Sequence, residues 1–198
     1  MTWSVQSVVK VGYLRSVSCP SSSFCLALDS AANAFRYNGS TWAQLPGFPQ
    51  GSYSAGVVSC SDASFCVVTD DRGSVLTYDG SGWTSTVVAA PSVNLTSVSC
   101  PSRSFCGAVD SRGNAFTFNG SSWSQGTVID AGNNPKWVSC VPSGFCTAID
   151  ILGNALHYDG AWSAPQQVDS HYAPGGLSCA MSTYCVLVDA LGQAITWS

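Results

Sequence analysis

The chain has 198 residues, with 7 Lys and Arg together against 11 acids, all of them Asp, for a formal net charge of −4. So sparse and acidic a charge lacks the basic footprint of a nucleic-acid binder, and no apolar run reaches the roughly 18 residues that a membrane helix needs. The length supplies one sizeable core, and closed all-β folds of this size commonly form single domains.

The first segment, MTWSVQSVV, carries no cleavable-signal pattern. Either a leader has been removed or the domain belongs to a longer protein. The next element is SVSC at 16–19, which runs into SCPSSSFC at 18–25. That eight-residue stretch returns as SCSDASFC (59–66), SCPSRSFC (99–106), SCVPSGFC (139–146) and SCAMSTYC (178–185). The first cysteines, Cys19, Cys60, Cys100, Cys140 and Cys179, are therefore 41, 40, 40 and 39 residues apart. A fixed period of about 40 residues is the mark of a repeat architecture.

Each unit is predicted to hold four short strands. In the third unit these are SVSC, FCGAVD, NAFTF and SSWSQ. NAFTF alternates apolar and polar positions, as a half-buried strand does. Strands two and three are joined by a D-x-x-G turn that begins at Asp29, Asp70, Asp110, Asp150 or Asp189. Strands three and four are joined by Asn38-Gly39, Asp79-Gly80, Asn119-Gly120 or Asp159-Gly160, dipeptides that accept the positive φ of a tight hairpin. No segment has a helical period.

Ten cysteines in one CxxxxxC frame point to an oxidising compartment and to local disulfides: Cys19–Cys25, Cys60–Cys66, Cys100–Cys106, Cys140–Cys146 and Cys179–Cys185. Zinc favours tighter CxxC knuckles that converge four at a time, which five dispersed pairs do not do.

Four antiparallel strands per repeat predict an all-β, five-bladed propeller in one domain spanning 1–198. Its blades run at about 13–44, 54–86, 94–127, 135–165 and 174–198, the last completed by 1–6. The last unit ends in its third strand, AITWS, and Trp3 aligns with the fourth-strand Trp42, Trp83, Trp123 and Trp162. The N-terminal strand is thus expected to complete blade 5, which closes the ring and removes its open edges.

The unit SCPSxSFCxAVDxxGNAxxYNGSxW resembles a repeat of secreted or surface bacterial propeller proteins. That resemblance covers the whole chain and implies a secreted or cell-surface location, but no catalytic residues. By architecture alone, the chain is also similar to five-bladed tachylectin-type propeller lectins.

Residues that recur in every unit are assigned to the fold. The D-x-x-G aspartates are read as turn formers, because Asp bonds its own backbone. The fourth-strand tryptophans are read as packing between blades. The glycosylation acceptors at Asn38, Asn94 and Asn119 are discounted, since two of them lie on hairpin turns.

Departures from the repeat gather in the linkers between blades, on the face of the D-x-x-G turns and opposite the cysteine turns. They include Lys10, Tyr13, Arg15, Tyr53, Asn94, Asp130, Asn134, Lys136, Asp169, His171 and Tyr172, followed by Trp137, where other units have Ser16, Val57, Ser97 and Gly176. Aromatic faces with amides and carboxylates around a mouth suit a polar ring such as a sugar. The expectation is an extracellular glycan-binding module, monomeric and without a cofactor. Tyr13, Arg15, Tyr53, Asn94, Asn134, Lys136, Trp137 and Tyr172 form its site.

Two alternatives stand beside it. A small hydrolase would use Asp130, Asp169 and His171, as glycosidases use paired carboxylates. By analogy with six-bladed lactonases and phosphotriesterases, Asp130, Asn134 and Asp169 offer oxygen ligands for Ca2+. A protein-interaction platform is the other. His157, on a third strand where other units have Arg36, Thr77, Thr117 and Thr196, is expected to face outward.

Overall fold

The computed structural model describes residues 5–9, 12–49, 55–171 and 174–198. Among these the chain is all-β, with no helix. Blade 1 holds β1 (Leu14–Ser21), β2 (Phe24–Asp29), β3 (Ala34–Tyr37) and β4 (Trp42–Gln44). Blade 2 holds β5 (Ala55–Asp62), β6 (Phe65–Asp70), β7 (Ser74–Tyr78) and β8 (Trp83–Val87). Blade 3 holds β9 (Leu95–Ser102), β10 (Phe105–Asp110), β11 (Asn114–Phe118) and β12 (Thr127–Val128). Blade 4 holds β13 (Pro135–Cys140), β14 (Cys146–Asp150), β15 (Asn154–Tyr158) and β16 (Gln166–Gln167). Among the described residues blade 5 has three strands, β17 (Pro174–Met181), β18 (Tyr184–Asp189) and β19 (Ala194–Trp197). Every sheet is an antiparallel meander in chain order.

Local chemistry draws the hairpins. Gly39, Gly80, Gly120 and Gly160 all take positive φ after Asn or Asp, in short connections of four residues between Tyr37 and Trp42, Tyr78 and Trp83, and Phe118 and Trp123, and of three between Tyr158 and Trp162. In blades 3 and 4 the outer strand is interrupted: Trp123 and Trp162 make only isolated bridges, to Phe118 and Tyr158. The second strand is wholly buried in blades 1 and 2, the burial expected of a strand covered on both faces.

The five disulfides form as the spacing implies, and no cysteine is free. Each joins the first strand of a blade to the second. Cys60 and Cys66, for example, are directly opposed in the β5–β6 ladder. Five disulfides are consistent with an extracellular location.

Blades are joined through their first strands. The Ser18 hydroxyl accepts from the Cys60 N–H, Ser59 from Cys100, Ser99 from Cys140 and Ser139 from Cys179, each at 2.9 Å. The second serine of SVSC therefore belongs to the blade contact. The cysteines add to it: a Cβ at Gly107 would lie 2.6 Å from the Cys140 sulfur, so glycine there admits the disulfide of the following blade. The apolar clusters are likewise shared. One mixes Phe24, Leu26 and Leu28 of blade 1 with Val58, Val68 and Leu76 of blade 2, and Trp83 packs against it. Trp123 and Trp162 pack on the next two clusters, which supports their reading as packing residues.

The ends of the array differ from its middle. Val17 is 59% exposed, while its counterparts Val58, Val98 and Val138 are buried. In blade 5, Tyr184 and Val188 are each 45% exposed, where blade 1 buries Phe24 and Leu28 completely. Among the described residues no serine bond links Ser178 to Cys19. The closure expected from the N-terminal strand falls on Trp3, which lies outside the described residues. Gln6 donates to the carbonyl of Ser40 in blade 1, and with Val8 it borders an open cavity of about 540 Å³ against Leu14, Val17 and Trp42.

Candidate functional site

The linkers and the D-x-x-G turns do share one face. Gly113 and Gly153 explain how. Both take positive φ, and a Cβ on either would stand about 2 Å from the carbonyl oxygen of Asp130 or Asp169. Lacking one, each turn receives the linker. Ile129 and Asp130 both donate to the Gly113 carbonyl, and Val168 and Asp169 to that of Gly153. In blade 2, Gly73 receives Val88 and Ala89 in the same way. Position for position, then, Ala89, Asp130 and Asp169 are equivalent, and two of the three linkers carry a buried carboxylate there.

Each of these seats looks onto the turn of the following blade, where the repeated Asp behaves as turn chemistry predicts. Asp110 Oδ1 accepts from the N–H groups of Arg112 and Asn114, and its Oδ2 from the Asn114 side chain at 2.7 Å. Asp150 does the same with Leu152 and Asn154, and Asp29 with Ala31 and Asn33. Both oxygens of these carboxylates are satisfied.

Blade 5 breaks the rule. Gln193 stands where those turns have Asn. Asp189 Oδ1 still accepts from Leu191 and Gln193 N–H, but its Oδ2 is buried with no partner. Opposite it lies Asp169, 2% exposed, whose Oδ2 is also without a partner. Asp169 Oδ1 accepts from the His171 N–H at 2.8 Å and lies 3.4 Å from His171 Nδ1. One ligand atom from each of Asp169, His171 and Asp189 falls within 4.8 Å of the others. The two acids are buried and the imidazole is exposed, so the cluster opens to solvent on one side.

Blade 4 makes a different pair. The carboxyl of Asp130 interacts with that of Asp150, and Asn133 Nδ2 donates to Asp130 Oδ1 at 2.8 Å. Burial, and then the neighbouring Asp150, push Asp130 up to about 6. Its Oδ2 has no donor of its own, and a proton on Asp130 would supply one for the pair.

Four residues on, Asn134 sits at φ 50° with its side-chain oxygen buried and unpartnered. Lys136 is exposed and holds its ammonium 5.7 Å from the Trp137 ring centroid. Trp137 is half-buried, and its indole N–H has no partner.

The remaining expected residues are spread over other blades. Tyr13 and Arg15 lie at the exposed start of blade 1, with the Tyr13 carbonyl accepting from Ser30. Asn94 is exposed ahead of β9, and its carbonyl accepts from Ser111. Lys10, Tyr53 and Tyr172 lie outside the described residues. His157 corrects an expectation: it is half-buried between Phe145 and Trp197, ring centroids 5.7 and 4.3 Å away, and contacts Thr147. It faces blade 5, because Trp197 of the neighbouring blade covers the strand at that point, and burial lowers its pKa.

Sequence reasoning found Asp169 and His171 but assigned Asp189 to the turn alone. The signal that could have found it is Gln193, the long amide in place of the short one.

No family model matches the chain, and no curated protein matches it. Solved structures do. YCF48 bound to a D1 peptide superposes with a TM-score of 0.67 at 13% identity, covering 93% of this chain and 65% of that one. A catalytically inactive virginiamycin B lyase from Staphylococcus aureus with quinupristin gives 0.76 at 8%, covering 92% and 65%. YCF48 from Cyanidioschyzon merolae gives 0.67 at 14%, covering 92% and 66%. The fold is that of a β-propeller. At such identities the likeness reaches no further than the fold, and this chain spans just under two thirds of those neighbours.

Proposed function

We propose that the protein is an extracellular, non-catalytic binding module that takes a hydroxyl-rich ligand, a glycan, on the linker face at the entrance to blade 4. The observation that carries this reading is the pair of buried, unpartnered groups at Asn134 and Trp137, one an acceptor and one a donor. Proteins leave few such groups unsatisfied, and a sugar hydroxyl both gives and accepts. The exposed ammonium of Lys136 beside the Trp137 ring adds a charged donor at the same lip. The departure from the repeat and the unsatisfied chemistry coincide there.

The test is a glycan-array screen of the oxidised protein beside Trp137→Ala, with a peptide array run in parallel. Glycan binding that the variant loses supports the reading. Signal only on peptides would assign the face to a protein partner, the role that the YCF48 complex has for its own peptide.

A second reading, a hydrolase, is favoured by one observation. The buried Asp130 carboxyl lies against that of Asp150 with its Oδ2 unpartnered, and burial and that neighbour push it up to about 6, within the range where a general acid works. It predicts turnover of chromogenic glycosides or esters that Asp130→Asn abolishes while the protein stays folded.

A further inference from the structure

The Asp169–His171–Asp189 cluster on the blade 4–blade 5 linker is a divalent metal site, we propose, selective for a first-row transition ion such as Zn2+ over Ca2+. Two independent features meet there. The first is geometric: two carboxylates and an imidazole offer atoms that lie within 4.8 Å of one another, with Asp169 Oδ1 and His171 Nδ1 3.4 Å apart, and a small side-chain rotation draws all three onto one ion at normal ligand distances of about 2.0–2.2 Å. The second is an accounting of partners. Asp169 and Asp189 are 2% and 8% exposed, and one oxygen of each is buried with nothing to bond. A buried carboxylate oxygen without a donor is costly, and a cation satisfies both at once.

The comparison between blades shows that the arrangement is specific to blade 5. Asp110 has Asn114 on its second oxygen and no carboxylate opposite, since the linker seat there is Ala89. Asp150 faces Asp130, but Asn154 holds its second oxygen at 2.6 Å. In blade 5 alone, the linker seat is acidic, the turn amide is Gln193, and a histidine follows two residues on.

The donor set decides the class of ion. Imidazole nitrogen suits Zn2+, Ni2+ and Cu2+, whereas Ca2+ asks for six or more oxygens. Three protein ligands with the imidazole on the exposed side leave a coordination position open toward solvent. Asp130, expected beside Asp169 in a calcium site, pairs with Asp150 instead and is not part of this cluster.

The test is titration calorimetry of the chelator-treated, oxidised protein with ZnCl2 and, separately, CaCl2, with melting temperature followed alongside. Wild type is expected to bind one Zn2+, to melt higher with it, and to give no heat with Ca2+. His171→Ala is expected to weaken Zn2+ binding at least tenfold. Gln193→Asn, which restores the residue of blades 1, 3 and 4, should do the same by placing an amide on Asp189 Oδ2, with no ligand removed and folding retained. Absence of Zn2+ binding to the folded wild type overturns the site. So does Zn2+ affinity in both variants equal to that of the wild type, and so does Ca2+ binding as tight as Zn2+.

Discussion

At the residue scale, one carboxyl titrates far from its usual range because of where the linker puts it. Asp130 is buried against Asp150, and its pKa rises from 3.8 to about 6. The sign follows from proton uptake. Between those values the native state holds more protons than the unfolded chain, so this group's stabilisation is complete below about pH 4 and is lost as the pH rises through about 6. Thermal unfolding between pH 4 and 7 should show that fall, and Asp130→Asn should flatten it. A slope unchanged in the variant would assign the dependence to another group. On the opposite face, Arg103 bonds Asp62 at 2.8 Å and holds its carboxyl well below the usual range. That pair is exposed, and such pairs contribute little.

At the element scale, the hairpin between the first two strands carries the disulfide in every blade, and in blades 1 to 4 also the serine that reaches the next blade. Removing one bridge, as Cys100→Ser with Cys106→Ser, frees a short loop in the unfolded chain and should cost about 2 kcal/mol, read from urea denaturation. The serine bond from Ser99 to Cys140 should fail separately, since Ser99→Ala leaves the Cys140 N–H without its acceptor at a cost of about 1–3 kcal/mol. The strand pattern, the turns and the disulfides were legible in the sequence because each rests on neighbours within about ten residues. The weak outer strands of blades 3 and 4 were not. In blade 3 the chain after Trp123 passes Gly126 close over Phe116, a contact that no period announces.

At the scale of the whole molecule, the four internal blade contacts bury one valine or leucine face against the next, while among the described residues Val17 at the front of blade 1 and Val188 in blade 5 are exposed. The consequence is measurable. Val98→Ala should cost about 2 kcal/mol, and Val17→Ala under ~0.5 kcal/mol. An equal cost at both positions would mean that the front of blade 1 is covered in solution.

The candidate sites divide along the same line. By itself the sequence determined the five repeats, the all-β propeller fold, the disulfide pairing and the linker face as the place where the units differ. These follow from periodicity and from chemistry between near neighbours. Only the tertiary structure decided which aspartates meet. Asp130 and Asp169, expected to belong together, each turn instead to the Asp of the following blade, because a glycine without a Cβ seats the linker between two turns. Asp189 reads as one of five equal turn residues until that packing brings Asp169 and His171 against it, and Gln193 leaves its second oxygen bare.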